Sequence, residues 1–220
     1  MTRVDGLILA AGMSTRMGRP KMLLKLDGRP LIQWAVSTAL DVCDHVYIAA
    51  GREHRLIRRL TAHPRVEVLY NPEYQAGQGT SLARGIEALE TETDGMMVFL
   101  ADQPFIPVPV AARVREQGEE AMHRYKRGFA VQPVCRSIPA HPVFWGRPQG
   151  LPPIRRGDRA GKALMQALPV ETIAVREAWT TFDIDTPEQW HQAGELVSRF
   201  DFSYNFRNTV GRSLAGTGNS

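Results

Sequence analysis

The sequence predicts a single-domain α/β fold in which a mostly parallel, twisted sheet is flanked by helices. Three observations predict it. Short apolar runs alternate with helix-spaced patterns along the first half of the chain. The central runs are apolar throughout, as strands covered on both faces are. The 220 residues, with 43% hydrophobic and 23% charged content, are enough for one large core. Residues 1–200 are read as the domain. Residues 201–220, which end rich in Gly, Ser, Thr and Asn, are read as a partly mobile tail.

Each element has its own justification. VDGLILA (4–10), HVYIAA (45–50), VEVLY (66–70) and GMMVFLA (95–101) read as strands. The last is apolar at every position, as in the middle of a parallel sheet. PLIQWAVSTAL (30–40) carries helical spacing with Pro30 in the first turn. REHRLIRRLTAH (52–63) is an amphipathic helix whose arginines face water. TSLARGIEALE (80–90) is a helix with Thr80 or Ser81 near its N-cap. Beyond residue 107 a helix follows the prolines, and GFAVQPVC (128–135) and HPVFWG (141–146) are extended. GKALMQAL (161–168) is helical, ETIAVRE (171–177) a strand, and TPEQWHQAGELVSRF (186–200) a helix opened by Thr186 and Pro187. Repeated β-α order implies right-handed crossovers, and ligands then bind at the carboxyl ends of the strands.

Composition narrows the function. The formal charge is +4 and the sequence pI about 9.3. That suits an anionic small molecule, but no dense basic run interleaved with aromatics points to nucleic acid. Cys43 and Cys135 are far apart and form no metal-binding pattern, which points to a reducing compartment. No apolar run reaches membrane-spanning length, and the N-terminus is not a signal peptide. The expected location is cytoplasmic, with no membrane partner.

Three segments carry chemistry. In LILAAGMSTRMGRPK, the small residues Ala10, Ala11 and Gly12 let backbone N–H groups approach phosphate oxygens, while Arg16 and Lys21 add charge. Alone, such a loop is first read as a strand-to-helix turn with solvated charges. It is neither GxGxxG nor a P-loop. In MMVFLADQPFI, Asp102 follows an apolar strand, placed to hold a divalent metal or to cap a turn, and Pro104 stiffens that turn. In TTFDIDTPEQW, Asp183 and Asp185 share a face, with Asp185 the inward ligand; a helix cap with an accessory acid is the alternative. Taken together, Asp102 and Asp185 would suit a two-carboxylate Mg²⁺ site. His45, His54, His63, His123 and His191 lack ligand spacing, and Trp34, Met96 and Met97 read as core.

LILAAGMSTRMGRPKMLL resembles the signature of the nucleotidyltransferases related to molybdenum cofactor cytidylyltransferase and guanylyltransferase. NPEYQAGQGTSLARGI, VFLADQPFI, HPVFWG, RGDRAGKAL and DIDTPEQW match further family blocks in order, over roughly residues 4–195. The resemblance implies a Rossmann-like, nucleotide-diphospho-sugar transferase-like domain. It implies a nucleoside triphosphate held by Leu9, Ala10, Ala11, Gly12, Ser14, Arg16 and Lys21. Gly79, Thr80 and Ser81 would lie near base or ribose, and Asp102 and Pro104 would also meet the nucleotide. Asp102 and Asp185 would hold Mg²⁺, and His141, Pro142 and Asp158 would face the acceptor. The block after Asp158 departs from the family, running GDRAGK where GDxGAR is usual.

The implied reaction is attack of an acceptor phosphate on the α-phosphorus, with Lys21, Arg16 and Asp102 as the catalytic set. Lys21→Ala is expected to cost rate far more than fold. CTP is favoured because the loop reads LAAG rather than LAGG, and the Ala11 methyl occupies room a purine needs; the discrimination is modest in energy. The implied acceptor is a pterin-type phosphate, and a receiving molybdenum enzyme is an expected partner. The alternatives are a GTP-dependent guanylyltransferase, a sugar- or alditol-phosphate cytidylyltransferase, and a non-catalytic cofactor carrier that would bind pterin without releasing pyrophosphate.

Overall fold

The structure is a computed structural model, and it describes residues 2–12, 14–154, 157, 160–199 and 202. In chain order the strands and helices are β1 (Val4–Ala10), β2 (Lys25–Leu26), β3 (Arg29–Pro30), α1 (Leu31–Val42), β4 (Val46–Ala50), α2 (His54–Leu60), β5 (Val66–Tyr70) and α3 (Gln78–Ala88). There follow β6 (Gly95–Leu100), α4 (Val108–Arg124), β7 (Phe129–Cys135), β8 (Ile138–Pro139), β9 (Val143–Gly146), α5 (Ala160–Gln166), β10 (Val170–Val175) and α6 (Pro187–Arg199).

The main sheet runs β10-β7-β9-β6-β1-β4-β5, with β8 paired to β7. β1 lies parallel to both β4 and β6, and β5 and β10 are parallel to their neighbours. β9 is inserted antiparallel between β6 and β7. The sheet is therefore mixed and mostly parallel. β6 is central as its apolar sequence implies, but one of its two neighbours runs the other way.

Side-chain alternation explains why these strands lack a polar face. Along β1, Val4, Ile8 and Ala10 enter the core shared with α1, while Leu7 enters the opposite core beside Leu82 of α3. Along β6, Met97 and Phe99 take the first side, Met96 and Val98 the second. Both faces are covered, so both must be apolar. On the second side α3 packs very close: a Cβ on Gly85 would fall inside the Leu7 side chain. This contact fixes the helix whose N-terminus reaches the site.

Several sequence expectations shift by a turn or less. Pro30 precedes α1 rather than opening it, because it pairs with Lys25 in a short hairpin. α2 is confined to His54–Leu60, and its Ile57 is buried while Arg55, Arg58 and Arg59 are exposed. The N-cap of α3 is Gly77. Thr80 lies inside the helix, its hydroxyl donating back to the Gly77 carbonyl at 2.9 Å. The tail expected over 201–220 lies outside the described residues, save Phe202. That ring stacks on Phe105 with centroids 4.5 Å apart.

Candidate active site

The site lies at the carboxyl ends of β1 and β6. β1 ends at Ala10, and the chain enters a loop with Ser14 at φ 52° and Gly18 at φ 65°, joined by one turn of 3-10 helix at Thr15–Met17. Those two left-handed residues fold the loop back over the sheet end. A second 3-10 turn, Lys21–Leu23, carries Lys21 inward. The Ser14 hydroxyl accepts from the Lys21 backbone N–H at 3.3 Å, tying the two turns.

Lys21 is the centre of the geometry. It is 5% exposed, yet its partners come from distant segments. Nζ donates to Asp102 Oδ2 at 2.8 Å, Asp185 Oδ1 at 2.6 Å and the Ile184 carbonyl at 2.9 Å. An ammonium has three protons, so every donor is engaged. Burial alone would lower the Lys21 pKa; the charges and hydrogen bonds of Asp102 and Asp185 outweigh it, and the net shift is upward. Arg16 reaches the second oxygen of Asp185, Nη1 to Oδ2 at 3.3 Å, from a side chain that is 72% exposed.

The acidic segment is fixed at both ends. The Ile184 N–H donates to the Asp102 carbonyl at 3.0 Å. Beyond it, Thr186 and Gln189 form a reciprocal cap on α6. The Gln189 N–H donates to Thr186 Oγ1 at 3.3 Å, while Gln189 Oε1 accepts from the N–H groups of Asp185 and Thr186 at 2.8 and 3.0 Å. Thr186 thus caps the helix, and Asp185 is left to point at Lys21. Asp183 turns aside onto Gln103, accepting from Nε2 at 2.5 Å. Burial raises the Asp183 pKa, the charges of Asp102 and Asp185 push the same way, and the Gln103 bond opposes them.

These groups border a cleft of about 530 Å³. Of the residues expected at a nucleotide, Leu9, Ala11, Gly12, Ser14, Arg16, Lys21, Ser81 and Asp102 line it, as does Asp185, expected at the metal. At Gly12 a Cβ would meet open space, so the backbone there is accessible to a ligand. Ala10 instead borders a second hollow of about 400 Å³ beyond the loop, beside Arg19 and Arg52. Gly79 and Thr80 lie along a third, on the far side of α3. Thr80 is held there by Asn71, whose Nδ2 donates to both Thr80 Oγ1 and Ser81 Oγ. Pro104 is buried behind the turn.

Sequence reasoning passed over Tyr74, Gln75, Gly77 and Gln78, all of which line the cleft. The available signal was Gly77, whose φ of 104° ends one turn and starts α3. The expected acceptor residues are at the same sheet end. Val143 pairs antiparallel with Val98, so the cis-linked His141–Pro142 pair preceding it lies toward the Asp102 end of β6. Burial lowers the His141 pKa to about 4. Asp158 lies outside the described residues.

Comparison with known proteins agrees with this fold. The chain is 26% identical to the molybdenum cofactor cytidylyltransferase of Escherichia coli (strain K12), over 89% of this chain and 97% of that protein. It is 29% identical to the purine catabolism protein PucB of Bacillus subtilis (strain 168), over 88% of this chain and 97% of that one. Its fold matches the crystal structure of Rv0371c from Mycobacterium tuberculosis H37Rv, with a TM-score of 0.72 at 22% identity, covering 88% of this chain and 98% of that one. A complex of that protein with manganese matches at a TM-score of 0.69 and 21% identity over the same shares. The family model described as MobA-like NTP transferase domain matches residues 6–172. The chain belongs to the MobA-like NTP transferase domain family.

Proposed function

We propose that this chain transfers a CMP group from CTP to a phosphate of a molybdopterin-type acceptor, releasing pyrophosphate, with Mg²⁺ at Asp102 and Asp185. The observation that carries this reading is the meeting of the two carboxylates on a single cation, Lys21 Nζ, at the cleft floor. Oxygen ligands of this kind suit Mg²⁺, which takes one or two carboxylates together with substrate phosphates. The manganese complex of the mycobacterial relative supports a divalent ion in this fold. When bound, such an ion supplies charge neutralisation to the triphosphate.

The chain's own residues do the rest. The Ala11–Gly12 backbone and the N-terminus of α3 at Gln78 give the phosphates a wall of small groups and helix dipole. Arg16, exposed over the cleft, adds a guanidinium for charge-assisted bonds. Lys21 reaches a phosphate oxygen when it exchanges a carboxylate for it. An acceptor phosphate oxygen then forms a bond to the α-phosphorus. The bond from that phosphorus to the α,β-bridging oxygen breaks, and pyrophosphate departs with the electron pair. The attacking phosphate is already anionic, so no side chain has to take a proton. Catalysis rests on positioning and charge.

The Ala11 methyl favours the smaller base, and the resemblance to the cytidylyltransferase of Escherichia coli favours the pterin acceptor. The test is pyrophosphate release with each of the four ribonucleoside triphosphates, Mg²⁺ and molybdenum-loaded molybdopterin. Release with CTP alone supports the reading. Release with GTP keeps the chemistry and removes the argument from Ala11. Tight pterin binding without release of pyrophosphate points to a carrier or to a different acceptor.

A further inference from the structure

Gln103 is 5% exposed at the carboxyl end of β6, a costly place for an amide. Its Nε2 donates to Asp183 Oδ1 at 2.5 Å, while its Oε1 has no partner among the described residues. Asp183 is itself half-buried and does not line the cleft. A carboxylate placed near the charges of Asp102 and Asp185 and turned away from the substrate space needs a compensating bond, and Gln103 Nε2 supplies it.

The use follows from what the bond joins. Gln103 is the residue after Asp102, and Asp183 is two residues before Asp185. The other direct bond described above between this turn and the 183–185 segment is Ile184 N–H to the Asp102 carbonyl, 3.0 Å; Lys21 Nζ also bridges the two, but from a side chain that must move to admit a metal. The two bonds are adjacent rungs, one main-chain and one side-chain. A single rung permits the segment to pivot about it; two rungs fix its direction. Gln189 already fixes the far side of Asp185 through its backbone N–H. With both ends held, the backbone at Asp185 is fixed, and its carboxylate meets that of Asp102 at Lys21 Nζ.

We propose that Gln103 and Asp183 are positioning residues that set the convergence of Asp102 and Asp185 on a divalent cation. Neither touches the cation. Asp183 acts as a hydrogen-bond acceptor, so its charge is dispensable while its carbonyl-like oxygen is not. The proposal rests on the reading that Asp102 and Asp185 hold the metal.

The test measures Mn²⁺ affinity by electron paramagnetic resonance of the free ion, with folding checked by thermal melting. Four variants are compared with the parent: Gln103→Leu, Asp183→Ala, Asp183→Asn and Asp102→Asn. Gln103→Leu and Asp183→Ala are expected to weaken Mn²⁺ binding at least tenfold. Asp183→Asn keeps an acceptor for Gln103 and is expected to stay within about twofold of the parent, a difference a general packing defect would not produce. Equal losses in Asp183→Asn and Asp183→Ala would overturn the proposal in favour of a charge effect. Parent-like binding in folded Asp183→Ala or Gln103→Leu, with binding lost in Asp102→Asn, would overturn the proposal alone. Parent-like binding in Asp102→Asn would overturn the metal reading and the proposal with it. Asp183 is half-buried, so its variants decide the matter if Gln103→Leu does not fold.

Discussion

Lys21 Nζ stands 2.6 Å from Asp185 Oδ1, joining residues 164 apart in sequence. Because Asp102 shares the same ammonium, removing it leaves two carboxylates facing each other at a partly buried site. Lys21→Met is therefore expected to lose stability as well as rate. A loss on the order of 2 kcal/mol follows from breaking a buried pair whose carboxylates keep some water contact. Urea denaturation checks the first effect, and a fall in turnover of ~100-fold or more the second. The sequence expectation for Lys21→Ala placed the cost mainly in rate; the three bonds of Nζ add a cost in folding.

Removing the same ammonium also frees the carboxylates. Mg²⁺ or Mn²⁺ is expected to raise the melting temperature of Lys21→Met by more than that of the parent, since the parent's cation must first be displaced. Equal shifts would mean that Lys21 and the metal do not compete.

Arg16 bonds the same Asp185 from a side chain that is 72% exposed. Surface pairs of this kind contribute little, so Arg16→Ala is expected to change stability by no more than ~0.5 kcal/mol. It is expected to raise KM for the triphosphate. Paired melting and steady-state kinetics of the two variants separate the inner cation from the outer one.

Gly77 has φ 104° and ψ 169°, a region open essentially to glycine. Gly77→Ala is expected to cost ~1–3 kcal/mol. The strain lies directly before Gln78, so KM for nucleotide should rise. Urea midpoints and nucleotide titration check the pair of effects.

His141 gives a pH dependence. Burial holds its pKa down at about 4, while the unfolded chain titrates near its ordinary value of ~6.5. Between those values the unfolded state binds the extra proton, so folding stability falls as the pH drops from 6.5 toward 4. The residue keeps some surface exposure, which limits the size of the effect. His141→Gln should lose less stability than the parent between pH 7 and pH 4.5. Identical losses would place the His141 pKa near its free value.

What was legible in the sequence follows from what periodicity encodes. Burial on both faces makes β1 and β6 apolar at nearly every position, and both were readable to within a residue. Strand direction leaves no such mark, so the antiparallel entry of β9 beside β6 was not visible in HPVFWG. The Thr186–Gln189 cap is local and was partly legible as a helix start. The position of Thr80 was not, because the start of α3 is set by the φ of Gly77. Lys21 and the two aspartates could be nominated by type. That Lys21 is buried, with its donors all engaged, depends on partners 81 and 164 residues away.

The most direct test of the account is a crystal structure with Mn²⁺ and a non-hydrolysable CTP analogue, located by anomalous scattering. The account predicts a manganese peak between Asp102 and Asp185, with Lys21 Nζ moved off at least one of them onto a phosphate oxygen. A peak elsewhere, with Lys21 still bonded to both aspartates, would contradict it.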